Sequence, residues 1–326
     1  MKSETPYADL SPDAVLDAVE ASGYRSDGRV LALNSYENRV YQVGIDEDAP
    51  VVVKFYRPGR WTDAAILEEH AFALELAALE IPVVAPLARD GVTLHLHDAY
   101  RFAIFPRRGG RWPELGLATD REWLGRFLGR IHAVGRAGAF AHRRRLQIDE
   151  LGWKSREFVL QGSWMPDYLA AKYEDVTASL LEEVELRAAD WGGARQGRIH
   201  GDCHRGNILW TEAGPHFVDL DDCLCGPAIQ DIWMLLAGSR AEMRAQLTDI
   251  LSGYEQFAPF DRAELGLIEP LRALRMIHYA AWIARRWHDP AFPLAFPWFA
   301  EPRYWEEHYR ALDEQLAAVV EPPLEL

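Results

Sequence analysis

The sequence has few cysteines, few lysines and no long apolar run. Its cysteines are Cys203, Cys223 and Cys225. Three cysteines are too few, and odd in number, for a disulfide framework, and they lack the second pair of a typical zinc site. No stretch approaches the roughly 18 apolar residues of a membrane-spanning helix, and the first residues lack the apolar core of a secretory signal. We therefore expect a cytoplasmic protein that does not enter a membrane.

Positive charge is also scarce. The formal net charge is −15, and of the 35 lysines and arginines only four are lysines, at positions 2, 54, 154 and 172. Nucleic acids and anionic membrane surfaces bind proteins chiefly through basic side chains, so we expect neither as the main partner. Because lysines are so few, a lysine in an unusual setting is informative.

Several common enzyme motifs are missing. The chain contains no Gly-Lys dipeptide, no G-x-G-x-x-G, no G-x-S-x-G and no H-E-x-x-H. Their absence argues against a P-loop, a dinucleotide-binding fold, a serine hydrolase elbow and a zinc protease helix. The 326 residues, 49% apolar and 26% charged, are typical of a folded chain of about two domains.

The first third of the chain is rich in β-type patterns. A helix signalled by Ser11 and Pro12 comes first. Short runs of β-branched and aromatic residues follow it, and we expect them to be antiparallel strands, at 29–33, 38–45, 51–56 and, as a pair of strands, 92–106.

Helical periodicity governs most of the remaining sequence. Residues 61–79 form a predicted helix capped by Thr62 or Asp63. Helices dominate again from a predicted capping box of Thr119 and Glu122 onwards.

With a hinge near residues 105–110, these patterns predict an α+β chain of two lobes. The β-rich N-lobe comprises residues 1–106, and the mostly helical C-lobe comprises residues 107–326.

The stretch IHGDCHRGNILW, residues 199–210, carries the most informative spacing. Asp202 is followed five residues later by Asn207, and Asp219 comes twelve residues after that. In kinase catalytic loops an Asp accepts the proton of the attacking hydroxyl, an Asn five residues on holds a magnesium ion, and a later Asp bridges the metal to the nucleotide. Asp and Asn beside glycine are also common in simple polar turns, which is the alternative interpretation.

A kinase interpretation requires a lysine upstream that holds the nucleotide. Lys54 lies inside the apolar run VVVKFY, where an ammonium group needs a phosphate or carboxylate partner. The following helix offers Glu68 and Glu69 as partners, and the spacing favours Glu69. The alternative places Lys54 on the solvent face of an edge strand.

These motifs together resemble a known family. HGDCHRGNILW with FVDLDD is similar to the aminoglycoside phosphotransferase and choline kinase-like branch of the protein-kinase fold. LNSYENRVYQV, ILEEHAFALEL and FVDLDDCLCGPAIQDIWMLL resemble the bacterial stress response kinase A family of Ser/Thr protein kinases, over nearly the whole chain. The resemblance implies a bilobal protein-kinase-like fold and a role in stress response.

The resemblance also implies roles for single residues. Asp202 would accept the proton, and Asn207 and Asp219 would bind Mg²⁺, with Asp219 also counted as catalytic. Lys54 would hold the α and β phosphates of ATP, with Glu69 as its helix partner.

Other parts of the nucleotide site follow from the same resemblance. Residues 34–38 replace the glycine-rich loop without any glycine, so that backbone amides or the Ser35 hydroxyl would contact phosphate. The hinge backbone at Ile104, Phe105 and Arg107 would contact adenine.

Two residues near the catalytic motif have implied supporting roles. His204 stands where eukaryotic Ser/Thr kinases have a lysine. Asp231 would receive backbone N–H groups of the catalytic loop. The three cysteines lie next to these motifs, so redox control remains an alternative to core packing.

The acceptor is left open by the sequence. The resemblance favours a protein Ser or Thr, but the HGD loop suits an amino alcohol, a sugar or an aminoglycoside equally well. A third hypothesis, a nucleotide-binding regulator without activity, conflicts with the intact catalytic residues. We expect ATP and a protein substrate as partners, and a monomer.

Two features of the second lobe bear on the acceptor. The segment 288–305, rich in Pro and aromatics, is expected to line the acceptor cleft or pack over it. Basic clusters are expected to flank the cleft and to favour an acidic or phosphorylated polypeptide over an aminoglycoside, although solvated surface arginine is the alternative; they consist of Arg107, Arg108, Arg111, Arg285 and Arg286.

Overall fold

A computed structural model of the chain describes residues 6–188 and 196–326. The first lobe is an antiparallel sheet of five strands in the order β1-β2-β3-β5-β4, with one helix before it and one between β3 and β4. Its elements are α1 Pro12–Ala21, β1 Ser26–Leu33, β2 Arg39–Ile45, β3 Asp48–Phe55, α2 Asp63–Ala78, β4 His95–His97 and β5 Tyr100–Pro106.

Alternation along β3 gives the sheet two different faces. Val51, Val53 and Phe55 are buried in the core that α1 shares with the sheet. Successive strand residues point to opposite faces, so Lys54 emerges on the other side, the side of α2. Its cross-strand neighbour there, Ala103 on β5, is fully buried.

Helix α2 begins where the sequence indicates. The Thr62 hydroxyl accepts a hydrogen bond from the Ala65 amide (3.2 Å), so Thr62 and not Asp63 is the cap. The buried positions of α2 recur at helical spacing and include Glu69 and His70. One face of α2 therefore carries a carboxylate towards Lys54.

The second lobe is mainly helical and contains two short antiparallel pairs, β6–β9 and β7–β8. Its elements are α3 Ala118–Gly135, α4 Lys154–Gln161, α5 Asp167–Arg187, β6 Gly197–Ile199, β7 Ile208–Thr211, β8 Gly214–Phe217, β9 Leu224–Gly226, α6 Ile229–Trp233, α7 Arg240–Tyr254, α8 Ile268–Arg285, α9 Ala291–Ala295 and α10 Pro302–Val320. In the described ranges, every helix is too short or too polar to cross a membrane.

The predicted capping box of Thr119 and Glu122 is wrong. Helix α3 begins at Ala118 and has no side-chain cap. The chain turns earlier, at Leu115 with a φ of 55°, so Thr119 already lies inside the first helical turn. The Glu122 carboxylate instead accepts hydrogen bonds from Arg126 (2.6 Å) and Gln256 (3.2 Å).

Candidate active site

Lys54 lies at the centre of a buried cluster of charges. Its Nζ is 2.9 Å from Asp219 Oδ1, 3.1 Å from Asp221 Oδ1 and 3.5 Å from Glu69 Oε1. Burial alone would lower the pKa of Lys54, but the three carboxylates raise it well above its ordinary value. β3 lies between β2 and β5, so the alternative of an exposed edge strand is wrong.

The structure distinguishes the two candidate glutamates of α2. Glu69 is buried beside Lys54, and burial raises its pKa to about 7 against the opposing charge of Lys54. Glu68 points away from Lys54 and accepts hydrogen bonds from three backbone amides, those of Ala141 (2.6 Å), His142 (2.7 Å) and Arg143 (2.9 Å). Glu68 therefore fixes α2 to the second lobe, and Glu69 is the partner of Lys54.

Asp221 is a site residue that sequence reasoning missed. It is buried, contacts the Arg60 guanidinium and accepts a hydrogen bond from Asn38 Nδ2 (3.2 Å). Burial would raise the pKa of Asp221, but Arg60 and Lys54 outweigh it and hold the pKa well below its usual range. In the sequence, Asp221 is the second Asp of FVDLDD. Only its contacts with residues far away in the chain distinguish it from a surface carboxylate.

Asp231 holds the turn that presents Asp202. Its two carboxylate oxygens accept hydrogen bonds from the backbone amides of His200 (2.7 Å) and Gly201 (2.8 Å), as predicted. Gly201 has a φ of 82°, and a side chain there would collide with the Asp222 carbonyl. The turn thus depends on glycine for both its conformation and its close packing.

Arg275 and His204 both contact the carboxylate of Asp202. Arg275 Nη1 on α8 is 2.7 Å from Oδ1, and His204 Nε2 is 3.4 Å from Oδ2. Burial would raise the pKa of Asp202, but the hydrogen bond to His204 and the charge of Arg275 prevail and lower it strongly. Asp202 is therefore ionised near neutral pH. Nothing in the local motif indicated Arg275.

Asn207 and Asp219 are brought together by the β7–β8 hairpin. The hairpin returns the chain so that the Val218 amide donates to the Asn207 carbonyl (3.0 Å). The side-chain nitrogen of Asn207 donates a hydrogen bond to the Asp202 carbonyl (3.0 Å). The side-chain oxygen of Asn207 therefore points away from that carbonyl. The side chain of Asp219 is half exposed. A carboxylate and an amide oxygen are the hard ligands that Mg²⁺ prefers.

No described group of three or more His, Cys, Asp or Glu is placed to hold a metal by itself. Mg²⁺ commonly uses one or two protein ligands and completes its shell with phosphate oxygens and water. The donor set of Asn207 and Asp219 therefore fits a metal that arrives with a nucleotide.

A cleft is lined by residues of both lobes, among them Lys54, Asp202 and Asp219. The predicted nucleotide contacts do not all face this cleft. Ser35 and Phe105 line it. The Ser35 hydroxyl donates to the Asn38 carbonyl (3.1 Å) and accepts from the Val40 amide (3.2 Å). The Ile104 carbonyl accepts from Leu87 (2.7 Å) and its side chain is fully buried.

Arg107 also lies off the cleft. Its Nε donates to Gln42 Oε1 (2.8 Å) on β2, which is separated from β5 by β3. Pro106 and Arg108, on either side, do line the cleft.

The glycine-free loop at 34–38 is held by the second lobe. Glu37 Oε2 accepts from the indole of Trp282 (2.7 Å) and is 2.5 Å from Arg286 Nε, both from the C-terminal end of α8. Asn38 reaches Asp221 from the same loop. The loop has no glycine to give it conformational freedom, and these contacts hold it in a fixed position.

The segment 288–305 packs over the cleft, as expected. Asp289 is buried and forms ion pairs with Arg39 (3.2 Å) and Arg57 (2.9 Å) of the first lobe. Phe296 lines the cleft and lies 5.0 Å, between ring centroids, from Tyr36. The segment therefore fastens the two lobes together beside the active site.

The basic clusters predicted at the cleft are only partly there. Arg108, Arg285 and Arg286 line it. Arg107 and Arg111 do not; Arg111 lies 3.9 Å from Glu114 at the surface.

The three cysteines are buried in the second lobe's core. Burial raises the pKa of Cys203 and of Cys223 well above the ordinary value of a thiol. A protonated, buried thiol is a poor nucleophile, so core packing is the better supported interpretation.

Comparison with known proteins decides the family. Residues 29–268 match the APH phosphotransferase enzyme family. Stress response kinase A of Escherichia coli strain K12 is 47% identical over 324 residues, which cover 98% of this chain and 97% of the relative. The chain belongs to the stress response kinase A family, within the phosphotransferase enzymes. Another relative, the Serine/threonine protein kinase RdoA of Salmonella typhimurium strain LT2, is 46% identical over 321 residues, covering 98% of this chain and 97% of its own.

Solved structures confirm the predicted fold class. Amicoumacin kinase hAmiN, solved with AMP-PNP, Ca²⁺ and Ami, has a TM-score of 0.68 at 20% identity and covers 92% of this chain and 93% of its own. A microcompartment-associated aminopropanol kinase has a TM-score of 0.67 at 18% identity, and the match covers 94% of this chain and 98% of that kinase. At these identities the likeness concerns the fold, and family membership makes the chain a phosphotransferase.

Proposed function

We propose that this phosphotransferase is a Ser/Thr protein kinase that transfers the γ-phosphate of ATP to a protein hydroxyl, with a role in stress response. The observation that carries the proposal is near full-length identity of 46% to a relative named as a serine/threonine protein kinase. The cluster of Lys54, Glu69, Asp202, Asn207 and Asp219 on one cleft supports it.

Each residue of that cluster has a distinct task in the proposed reaction. Asp202, already ionised, accepts the proton of the acceptor hydroxyl as it attacks. Lys54 exchanges its contact with Asp219 for the α and β phosphates of ATP and stays paired with Glu69. Asn207 and Asp219 hold Mg²⁺, which supplies positive charge against the phosphates when bound.

The proposed nucleotide position follows from the same cleft. The loop at 34–38 covers the phosphates, and adenine lies against Phe105 and the backbone that follows β5. Ile104 supports the adenine position only as part of strand β5, because its carbonyl already accepts a hydrogen bond from the Leu87 amide. Arg107 contributes at most its backbone, since its side chain is bound to Gln42.

A second candidate function is a small-molecule kinase of the aminoglycoside, choline or homoserine type. Four aromatic side chains line the cleft close to α8, namely Tyr36, Tyr279, Trp282 and Phe296. Aromatic faces bind quaternary and protonated amines, so this group is compatible with an amino alcohol.

Labelled ATP distinguishes the two candidates. The protein is incubated with ATP and Mg²⁺, alone and with casein or myelin basic protein, and separately with choline, homoserine and kanamycin. We expect label on Ser or Thr of the added proteins and of the chain itself, and none with the Asp202→Asn variant. Turnover of kanamycin or choline without any protein labelling would reverse the order of the candidates.

A further inference from the structure

Four arginines that line the active cleft form no ion pair within the described residues, namely Arg108, Arg144, Arg145 and Arg285. Arg144 and Arg285 both line the cleft, and within the described ranges neither forms an ion pair. Arg144 lies over the ring of Trp61 (4.6 Å), and Arg285 lies over Phe158 (4.9 Å). Arg285 donates one hydrogen bond, to the Lys154 carbonyl (3.1 Å). A guanidinium has five N–H donors, so most of theirs remain available.

Several other cations beside Arg144 and Arg285 already have acidic partners. Arg60 contacts Asp221 and Asp222, and Arg286 contacts Glu37. Lys154 is 3.0 Å from Asp149 and also contacts Glu150. Arg144 and Arg285 therefore keep an uncompensated positive charge within the described residues, as do Arg108 and Arg145, which also line the cleft.

The electrostatic environment agrees with a surplus of positive charge. Burial lowers the pKa of Arg144, and Arg60 adds to this effect. Burial also lowers the pKa of Arg285, where nearby Glu150 opposes and Arg144 reinforces the shift. The pKa of His278, on the same helix as Arg285, falls to about 4 through burial and the charge of Arg285; Asp222 opposes this shift, and Arg144 and Arg286 add to it. An added anion would relieve this repulsion.

We propose that Arg144 and Arg285 form a subsite for an oxyanion, a carboxylate or a phosphate monoester, carried by the acceptor polypeptide. The inference rests on the proposed protein kinase function and names the class of its substrate. Arginine suits this task because its fork of donors matches both groups.

The helix gives the spacing between this subsite and the reacting hydroxyl. Arg275 contacts Asp202, and Arg285 lies ten residues further along α8. At 1.5 Å per residue the separation along the axis is about 15 Å. An extended peptide advances about 3.3 Å per residue, so the acidic group lies roughly four or five positions from the acceptor Ser or Thr.

Binding of fluorescent peptides tests the subsite without requiring transfer. Each peptide carries Ala in place of the acceptor Ser and has two Asp, two phosphoserine or two Asn residues four and five positions away, on either side. Anisotropy is measured with the wild type, with R144Q, R285Q and the double variant, and with the control R244Q/R310Q, whose arginines are exposed and lie away from the cleft. Unchanged ATP affinity verifies that each variant is folded.

The wild type is expected to bind the Asp or phosphoserine peptide at least tenfold more tightly than the Asn peptide, and the double variant to lose this preference. Tighter binding of phosphoserine than of Asp assigns the subsite to phosphate, and equal binding assigns it to carboxylates. Equal binding of all three peptides by the wild type, or an unchanged preference in the double variant, overturns the inference.

The matching Ser peptides with ATP separate this inference from the proposed function. If the acidic Ala peptide binds through the two arginines but no Ser peptide is phosphorylated, the subsite stands and the kinase proposal fails. If Ser peptides are phosphorylated without regard to acidic residues, the kinase proposal stands and the subsite fails.

Discussion

Arg275 on α8 holds one oxygen of Asp202, with 2.7 Å between Nη1 and Oδ1. This pair joins the residue proposed as the proton acceptor to α8, a helix that lines the cleft. The second oxygen, Oδ2, faces His204 at 3.4 Å. The orientation of the carboxylate is thus set by a residue outside the catalytic loop.

Replacing Arg275 by Ala is expected to lower kcat by up to about 10², because a base displaced by about 1 Å loses its alignment with the hydroxyl. The KM for ATP should change little, since Arg275 contacts Asp202 and not Lys54 or the carboxylates paired with Lys54. Steady-state kinetics with a protein acceptor measure both. Arg272→Ala is the control: Arg272 lies one turn earlier, pairs with Glu269 (3.1 Å) and is not part of the cleft. A kcat equal to the wild type would remove Arg275 from this role.

Asp202→Asn is expected to lower the rate of transfer by about 10² to 10⁴, the usual contribution of a general base. The amide oxygen can still accept from Arg275, so the fold and nucleotide affinity should persist. Single-turnover assays and ATP titration measure the two properties. Asp98→Asn, at the exposed β4–β5 turn, is a matched control with expected wild-type rates. Wild-type turnover by Asp202→Asn would contradict the assignment.

Lys54→Ala should weaken ATP binding and slow transfer together, because it removes the charge proposed to meet the phosphates before and during the reaction. It should also lower the free energy of unfolding by about 3 kcal/mol, since Glu69 and Asp221 lose a buried cation. Calorimetric ATP titration and urea unfolding test both effects. The exposed Lys172→Ala should show neither. Loss of rate at unchanged ATP affinity would argue against phosphate contact by Lys54.

Glu37→Gln is expected to weaken ATP affinity several-fold and to increase amide hydrogen exchange over residues 34–40. The loop at 34–38 has no glycine and depends on the contacts of Glu37 with Trp282 and Arg286 for its position. Exchange mass spectrometry with and without nucleotide measures the loop directly. Glu47→Gln, in the exposed β2–β3 turn, is the control. Unchanged exchange in Glu37→Gln would show that the loop is ordered by other means.

His70 should make stability depend on pH. Its ring is buried between the Tyr56 hydroxyl (2.8 Å) and Thr93 (2.9 Å), and burial lowers its pKa to about 3. The unfolded chain takes up a proton near pH 6.5 and the folded chain does not, so stability falls as pH drops from about 6.5 towards 3.

Urea unfolding at pH 7, 6 and 5 measures this dependence. His70→Gln should be less stable at pH 7 but should lose less on acidification, with a slope smaller by up to about 1.4 kcal/mol per pH unit. His288→Gln, at an exposed position, should keep the wild-type slope. Parallel slopes for wild type and His70→Gln would exclude His70 as the source.

Local patterns predicted the sheet and the centre of the site. The apolar run around Lys54 implies a buried strand, and alternation then directs Lys54 away from Val53 and Phe55. The separation of Asn207 from Asp219 leaves room for one hairpin, which returns the second residue to the first. Such features depend on neighbours within about twenty residues.

Features that depend on the packing of distant elements were not predicted. Arg275 is 73 residues from Asp202, and Trp282 is 245 residues from Glu37. Helical periodicity tells which face of α8 is buried, but it does not tell which loop that face meets. The capping box at Thr119 failed for a related reason, because the preceding turn at Leu115 determines where α3 begins.

The attachment of Glu37 to α8 links the proposed nucleotide site thermodynamically to the proposed acceptor site. The loop at 34–38, proposed to cover the nucleotide, and helix α8, proposed to line the acceptor side, share the contacts of Glu37 with Trp282 and Arg286. A ligand that stabilises one partner of these contacts stabilises the other, and by linkage the effect is the same in both directions. Whatever factor an acceptor adds to the affinity for ATP, ATP adds to the affinity for that acceptor.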